Sequence, residues 1–62
     1  MIVQFIDSAT GTAVYINPVY VVSLRPDPAD PDRISIVKLQ DGETLHVRGE
    51  HNEVAEKLRR LP

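Results

Sequence analysis

The sequence of 62 residues contains no cysteine and no tryptophan, and only three of its side chains are aromatic. Without cysteine, neither a disulfide nor a thiolate zinc site can stabilise so short a chain. The fold must therefore depend on a compact apolar core. A chain of this length is close to the lower size limit for independent folding, so self-association is a plausible supplement to that core. We predict a single domain over residues 1–62.

Long apolar runs are also missing. No stretch approaches the ~20 apolar residues that a membrane span requires, and residues 1–5 lack the basic region of a signal peptide. We therefore expect a soluble, cytoplasmic protein without a membrane partner. The formal net charge is −2, and a field of this sign repels nucleic acid, which disfavours it as a partner.

Glycine and histidine are too sparse for common catalytic motifs. The glycines stand alone at positions 11, 42 and 49, so no phosphate-binding loop is present. Two histidines without cysteine do not make a metal site unaided. By residue type, Ser23, His46 and an aspartate could form a catalytic triad, but no glycine-rich turn positions the serine as a nucleophile. We predict a protein that is not an enzyme, with no cofactor, no metal and no small-molecule substrate.

The segment 26–32 combines three prolines with three aspartates. Calcium loops also concentrate carboxylates, but they turn on a glycine and close with a distant bidentate carboxylate. Here the glycine is missing, and proline cannot join a strand ladder. The composition predicts a solvated loop rather than an ion site.

The most informative part of the chain is segment 36–48, in which alternating apolar and polar residues flank Asp41-Gly42. This pattern is a strong hairpin signal, because glycine adopts positive φ without steric cost. A two-residue loop would divide the apolar residues between both faces of the sheet, which a one-sided core penalises. We therefore predict a three-residue loop, 40–42, that pairs Val37 with Leu45. The residues that then line one face are Val37, Leu39, Leu45 and Val47.

The first two apolar runs form a second predicted hairpin. If Phe5 pairs with Val14 and Val3 with Ile16, the loop covers residues 8–11 and all four side chains share the core face.

Two interpretations of the next segment remain open. Asn17 can cap a helical turn over residues 18–21 that begins with Pro18, but residues 19–24 also fit a continuous strand. In the helical version, the inward side chains are Tyr20, Val21 and Leu24.

The C-terminal segment has helical spacing after the break at Gly49. Its apolar stripe comprises His51, Val54, Ala55, Leu58 and Leu61. Glu50 and Glu53 fall in the predicted first turn, and the basic residues Lys57, Arg59 and Arg60 fall in the last, which suits the helix dipole. This helix should cover the core face of the sheet over Val3, Phe5, Val37 and Val47.

Together these elements predict an α+β fold: an antiparallel β-meander of four or five strands, with one C-terminal α-helix packed on one face. The expected strands are about 2–7, 13–17, 21–25, 33–40 and 43–48, and the expected helix is about 50–60.

The sheet face opposite the helix is the candidate functional surface. A one-sided meander should be polar there, but the predicted register places isoleucines and a tyrosine beside basic residues. Apolar surface bordered by polar groups is typical of interfaces. The candidate interaction residues are Tyr15, Ile34, Ile36, Lys38, His46 and Arg48. We predict a non-enzymatic interaction or accessory module that binds a protein partner or forms a homodimer.

The alternative is a small RNA- or DNA-binding regulator. Its positive charge would come from Arg25, Arg33, Lys38 and Arg48, with Arg59 and Arg60. Tyr15 or Tyr20 could stack on a base. The nine acidic residues and the scarcity of aromatics weigh against it.

The order of features also resembles the FlbD-type small flagellar and swarming-motility proteins. It is carried by Tyr15-Ile16-Asn17-Pro18, the segment 21–24, Val37-Lys38-Leu39 with Asp41-Gly42, and Val47-Arg48 followed by Glu53, Val54 and Leu58. The chain departs from that family in its longer loop at 26–32 and in lacking lysines around the last hairpin. The resemblance implies an accessory or interaction role without catalytic residues.

Overall fold

The computed structural model describes residues 1–59 of the chain. Its elements in chain order are β1 (Val3–Ile6), β2 (Ala13–Ile16), a 3₁₀ turn (Pro18–Tyr20), β3 (Val21–Pro26), β4 (Ile34–Leu39), β5 (Thr44–Arg48) and α1 (His51–Leu58). The predicted α+β class, with five antiparallel strands and a C-terminal helix, is confirmed. The predicted end of the helix at residue 60 lies outside the described residues, as do Arg60 and Leu61.

The five strands form two antiparallel sheets instead of one continuous meander. One sheet is β1–β2 and the other is β3–β4–β5. A single bridge between Asp7 and Val47 joins them, and the Ser8 amide donates to the His46 carbonyl oxygen at 2.8 Å. The end of β1 therefore lies beside β5, and the two sheets enclose a common core.

The β4–β5 hairpin has the predicted three-residue loop. Val37 pairs with Leu45 and Lys38 with Thr44, and the Leu39 amide donates to the Glu43 carbonyl oxygen at 2.9 Å. The φ angle of Gly42 is 90°, which is the left-handed conformation that this loop requires. The one-sided core selects the register, as the sequence predicted.

The predicted register of the first hairpin is also confirmed, with Val3 opposite Ile16 and Phe5 opposite Val14. After β2, the structure has the helical turn and not a continuous strand. The Asn17 side chain caps the turn by accepting from the Val19 amide at 3.0 Å.

The prediction that Tyr20 points inward is wrong, because its side chain is 54% exposed. A 3₁₀ turn has three residues per turn, and this one leaves Tyr20 outside, while Val21 and Leu24 are half-buried against the core.

Pro26 belongs to β3 and not, as predicted, to the loop. It pairs with Ser35 at the end of the strand. Proline is tolerated here because β3 is the edge strand of its sheet, where a missing N–H breaks no ladder on the solvent side. The register of β3 also shifts between Val21 and Ser23, so Val22 forms a bulge and is exposed.

The core is small and draws on both sheets and on α1. Its buried apolar residues are Phe5, Ile16, Val37, Val47 and Val54. The helix packs mainly on β3 and β4. Its predicted apolar stripe is confirmed within residues 51–58, with Val54 buried and His51, Ala55 and Leu58 half-buried. Lys57 extends over the edge of this core, with Nζ 5.5 Å from the centroid of the Phe5 ring.

A buried polar contact forms the corner between β5 and α1. Ser35 is fully buried, and its hydroxyl donates to the Gly49 carbonyl oxygen at 2.8 Å. The Gly49 amide donates to the Arg33 carbonyl oxygen at 2.6 Å. Gly49 has a φ of 134°, and a Cβ placed on it would lie 2.9 Å from Val54 Cγ2. The chain can therefore turn onto the core here only with glycine.

Glu50 is the N-cap of α1 and does not lie within its first turn, as predicted. Its carboxylate accepts from the amides of Asn52 at 3.0 Å and Glu53 at 3.3 Å. These are two of the amides that a helix start leaves without intrahelical partners. The carboxylate also favours the positive end of the helix dipole.

The corner at Gly49 predicts that substitution by alanine destabilises the fold much more at Gly49 than at Gly42. Gly49→Ala should lower the free energy of unfolding by about 2–5 kcal/mol, because it combines an unfavourable φ with overpacking against Val54. Gly42→Ala, with φ 90° and no atom within 4 Å of the added Cβ, should cost only about 1–2 kcal/mol. Urea unfolding of both variants measures the difference, and equal losses would contradict the role of this corner.

Candidate interaction surface

The outer face is the surface of the β3–β4–β5 sheet opposite α1. Leu24, Val37 and Leu45 are in register and point to the core, so the residues that alternate with them project outward. The members of the outer face are Ser23, Arg25, Ile34, Ile36, Lys38, Thr44, His46 and Arg48. The surface is built entirely on strands, whose pairing fixes its spacing.

Ile36 is at the centre of the outer face. Arg25 is opposite Ile36 on β3 and His46 is opposite it on β5, while Lys38 is two residues along β4. Ile34, on its other side, pairs with Arg48. Both isoleucines are half-buried, and the basic side chains around them are exposed. An apolar patch is thus bordered by positive charge.

These cations have no carboxylate partners within residues 1–59. The one contact of ion-pair length there is between His51 and Glu50, and the side chains of Arg25, Lys38 and Arg48 form neither an ion pair nor a hydrogen bond with any described residue. The outer face therefore carries positive charge that the described part of the chain leaves uncompensated.

Most acidic residues lie elsewhere, but Asp30 lines a pocket with Ile34 and Arg48 at one end of the outer face. Asp41 lies in the β4–β5 turn and Glu43 directly follows it, and three more are in the loop between β3 and β4. The others are Asp7 at the end of β1 and Glu50, Glu53 and Glu56 at or within α1. A chain of net charge −2 thus separates its charges, and the outer face is locally basic.

Five of the six candidate residues lie on the outer face, namely Ile34, Ile36, Lys38, His46 and Arg48. Tyr15 is 64% exposed but is on β2, in the other sheet. Arg48 reaches toward that sheet, since its Nη2 would lie 3.5 Å from a Cβ on Gly11. The candidate set therefore spans the junction of the two sheets.

Three members of the outer face were not in the candidate set, namely Ser23, Arg25 and Thr44, and Arg25 is the charged one. It pairs with Ile36 because the bulge at Val22 resets the alternation of β3. The alternation of side chains after the inward-facing Leu24 indicates that Arg25 points outward. No sequence feature, however, predicts the bulge at Val22.

The residues considered for catalysis are not brought together. Ser23, on β3, is opposite Lys38 of β4. His46, on β5, is opposite Ile36 of β4. Two interstrand spacings across β4 and an offset of two residues along the strands separate them by roughly 12 Å, which is too far for a nucleophile–base hydrogen bond.

Asp27, in the loop between β3 and β4, makes local hydrogen bonds. Asp27 accepts from the Ala29 amide at 2.9 Å, and its own amide donates to the Ile34 carbonyl oxygen. Across residues 1–59, no three histidine, aspartate or glutamate side chains converge as metal ligands would. His51 Nδ1 lies 3.2 Å from Glu50 Oε2 beside the helix cap, but this contact lacks hydrogen-bond geometry.

A second exposed apolar region lies at the other end of β3. Val19, Tyr20 and Val22 are all more than half exposed. Beside them is an open groove lined by Tyr20, Leu39, Gln40 and Asp41. This region has one carboxylate, and no cation lines the groove, so it lacks the charge pattern of the outer face.

Comparison with known protein families, curated proteins and solved structures finds no match to this chain. The resemblance to FlbD-type proteins therefore stays a prediction. In the described part of the chain, the helices are too short and too polar to cross a bilayer.

The uncompensated cations predict how charge reversal affects stability. Lys38→Glu should change the free energy of unfolding by no more than about 0.5 kcal/mol, because no folded-state pair is lost. Lys57→Glu, which removes the cation from the Phe5 ring, should cost about 0.5–1 kcal/mol. Denaturant midpoints measure both, and a larger loss for Lys38→Glu would show that this side chain has a structural partner.

Proposed function

We propose that the protein is a non-enzymatic interaction module, and that the outer face binds a protein partner or a second copy of the chain. One observation carries the proposal: half-buried isoleucines at the centre of a strand-built surface are bordered by cations that have no partner within residues 1–59. An apolar centre with a polar border is the arrangement of residues in many protein interfaces.

The physical argument rests on the apolar area that remains in contact with water. Covering Ile34 and Ile36 would remove that area from water at roughly 25 cal/mol per Å². Arg25 and Arg48 can then bind carboxylates at the border, where bidentate hydrogen bonds give direction to the contact. A surface that combines both contributions supports association without any catalytic group.

The edge of β3 is a weaker site for association. Pro26 has no N–H to offer to an added strand, and the bulge at Val22 interrupts the regular spacing of donors and acceptors. The proposal therefore assigns binding to the outer face and not to strand addition.

Ile36→Asp should abolish association, because it places a charge at the centre of the apolar patch. The matched control is Val19→Asp, which introduces the same charge at an exposed apolar position outside the outer face. Sedimentation across a concentration series measures self-association, and affinity capture with quantification measures a partner. Circular dichroism confirms that both variants fold.

The proposal fails if folded Ile36→Asp associates as strongly as Val19→Asp. It also fails if the wild type neither self-associates nor captures a partner at any concentration tested. Loss of association in Ile36→Asp alone supports it.

A single-stranded nucleic acid is the second candidate ligand, favoured by the cations of the outer face that pair with no described carboxylate. Binding of a short oligouridylate should then weaken steeply with salt, with a slope of about −0.7 per phosphate contact on a logarithmic scale. Fluorescence anisotropy across a salt series measures this slope. No binding at low salt would exclude this candidate.

A role beside flagellar or motility proteins is the biological setting that the FlbD-type resemblance supports. Gene neighbourhood tests it directly, because an accessory module is expected to be encoded with the proteins that it serves.

A further inference from the structure

We infer that the occupant of the outer face is a short acidic segment of a protein, in which an apolar residue lies between two carboxylates. The inference rests on the proposed function and specifies the chemistry of the partner. It follows from the spacing of the cations around Ile36 and from the position of the acidic residues at both ends of the strands.

The spacing of the sheet sets the pattern of the ligand. Neighbouring strands are about 4.8 Å apart and residues two apart on a strand are about 6.6 Å apart. By these values, Arg25 and Lys38 lie about 5–7 Å from Ile36 on one side, and Arg48 lies about 8 Å away on the other. An extended peptide also presents alternate side chains about 6.6–7 Å apart. A segment with the order acid, any residue, apolar, any residue, acid therefore matches the patch.

The acidic residues limit the length of the ligand. Lys38 is followed by the turn that carries Asp41 and Glu43, and Ile34 is preceded by a loop with three aspartates. The basic region between Ile34 and Lys38 is only about 13 Å long. A long polyanion that ran along the strands would meet carboxylates at both ends, whereas a short acidic segment centred on Ile36 would meet only Asp30, which lines a pocket with Ile34 and Arg48.

The same surface is poorly suited to nucleic acid. Proteins that bind single strands stack bases on aromatic side chains, and the outer face has isoleucine at its centre. The exposed Tyr15 is on the other sheet. The observations therefore favour a carboxylate ligand with an aliphatic contact over a phosphate ligand with stacked bases.

The test is an NMR titration of the isotope-labelled full chain with synthetic peptides. The probe is a short glycine- and serine-rich peptide with one leucine and an aspartate two residues before and after it. Control peptides replace the aspartates with lysine, or the leucine with serine. We expect amide shifts at Arg25, Ile36, Lys38 and His46 with the probe, and weaker binding of both controls.

Two charge-reversed variants locate the site. Lys38→Glu should weaken binding of the probe about tenfold, because an attraction at the border becomes a repulsion. Arg59→Glu changes the net charge equally but lies outside the outer face, at the C-cap of α1, and should bind as the wild type does.

The inference is overturned if the probe shifts no outer-face residue, if both variants bind alike, if the serine peptide binds equally, or if a short oligouridylate shifts the same residues at lower concentration. Such results leave the proposed function standing where Ile36→Asp still abolishes association. If Ile36→Asp leaves association intact, the proposed function itself fails.

Discussion

The hydrogen bond from the Ser35 hydroxyl to the Gly49 carbonyl oxygen is the constraint on which the arrangement of this fold depends. Ser35 is fully buried, and an unpaired polar group in that position would cost about 1–3 kcal/mol. Gly49 also turns the chain with a φ that other residues rarely adopt, and it leaves space for Val54. The corner thus directs α1 onto β3 and β4. In doing so, it determines which side of the sheet is covered and which side stays in contact with water.

The sequence could predict the hairpins because their information is local. Alternation has a period of two, and a one-sided core admits only one loop length after Leu39. The same logic paired Phe5 with Val14. These features required only the pattern of apolar residues and the presence of Asp41-Gly42.

The features that sequence reasoning missed depend on contacts between distant segments. Alternation places Ser35 on the core face with Val37, but the acceptor for its hydroxyl is supplied only when the chain turns at Gly49, fourteen positions later. Pro26 can end a strand only because β3 is at an edge. Arg25 joins the outer face only through the bulge at Val22. For the candidate site, the composition of the surface was therefore predictable, but its basic border on β3 was not.

Pro26 and the bulge at Val22 also bear on how many molecules could assemble. A regular edge strand is a template for pairing with an edge strand of another chain, and such pairing extends into fibres wherever each added chain still offers a second free edge. Here the bulge at Val22 makes the start of the β3 edge irregular, and Pro26 offers no N–H donor at its end. Contacts through the outer face, in contrast, would be used up once that face is covered. The geometry of β3 therefore favours complexes of finite size over fibres.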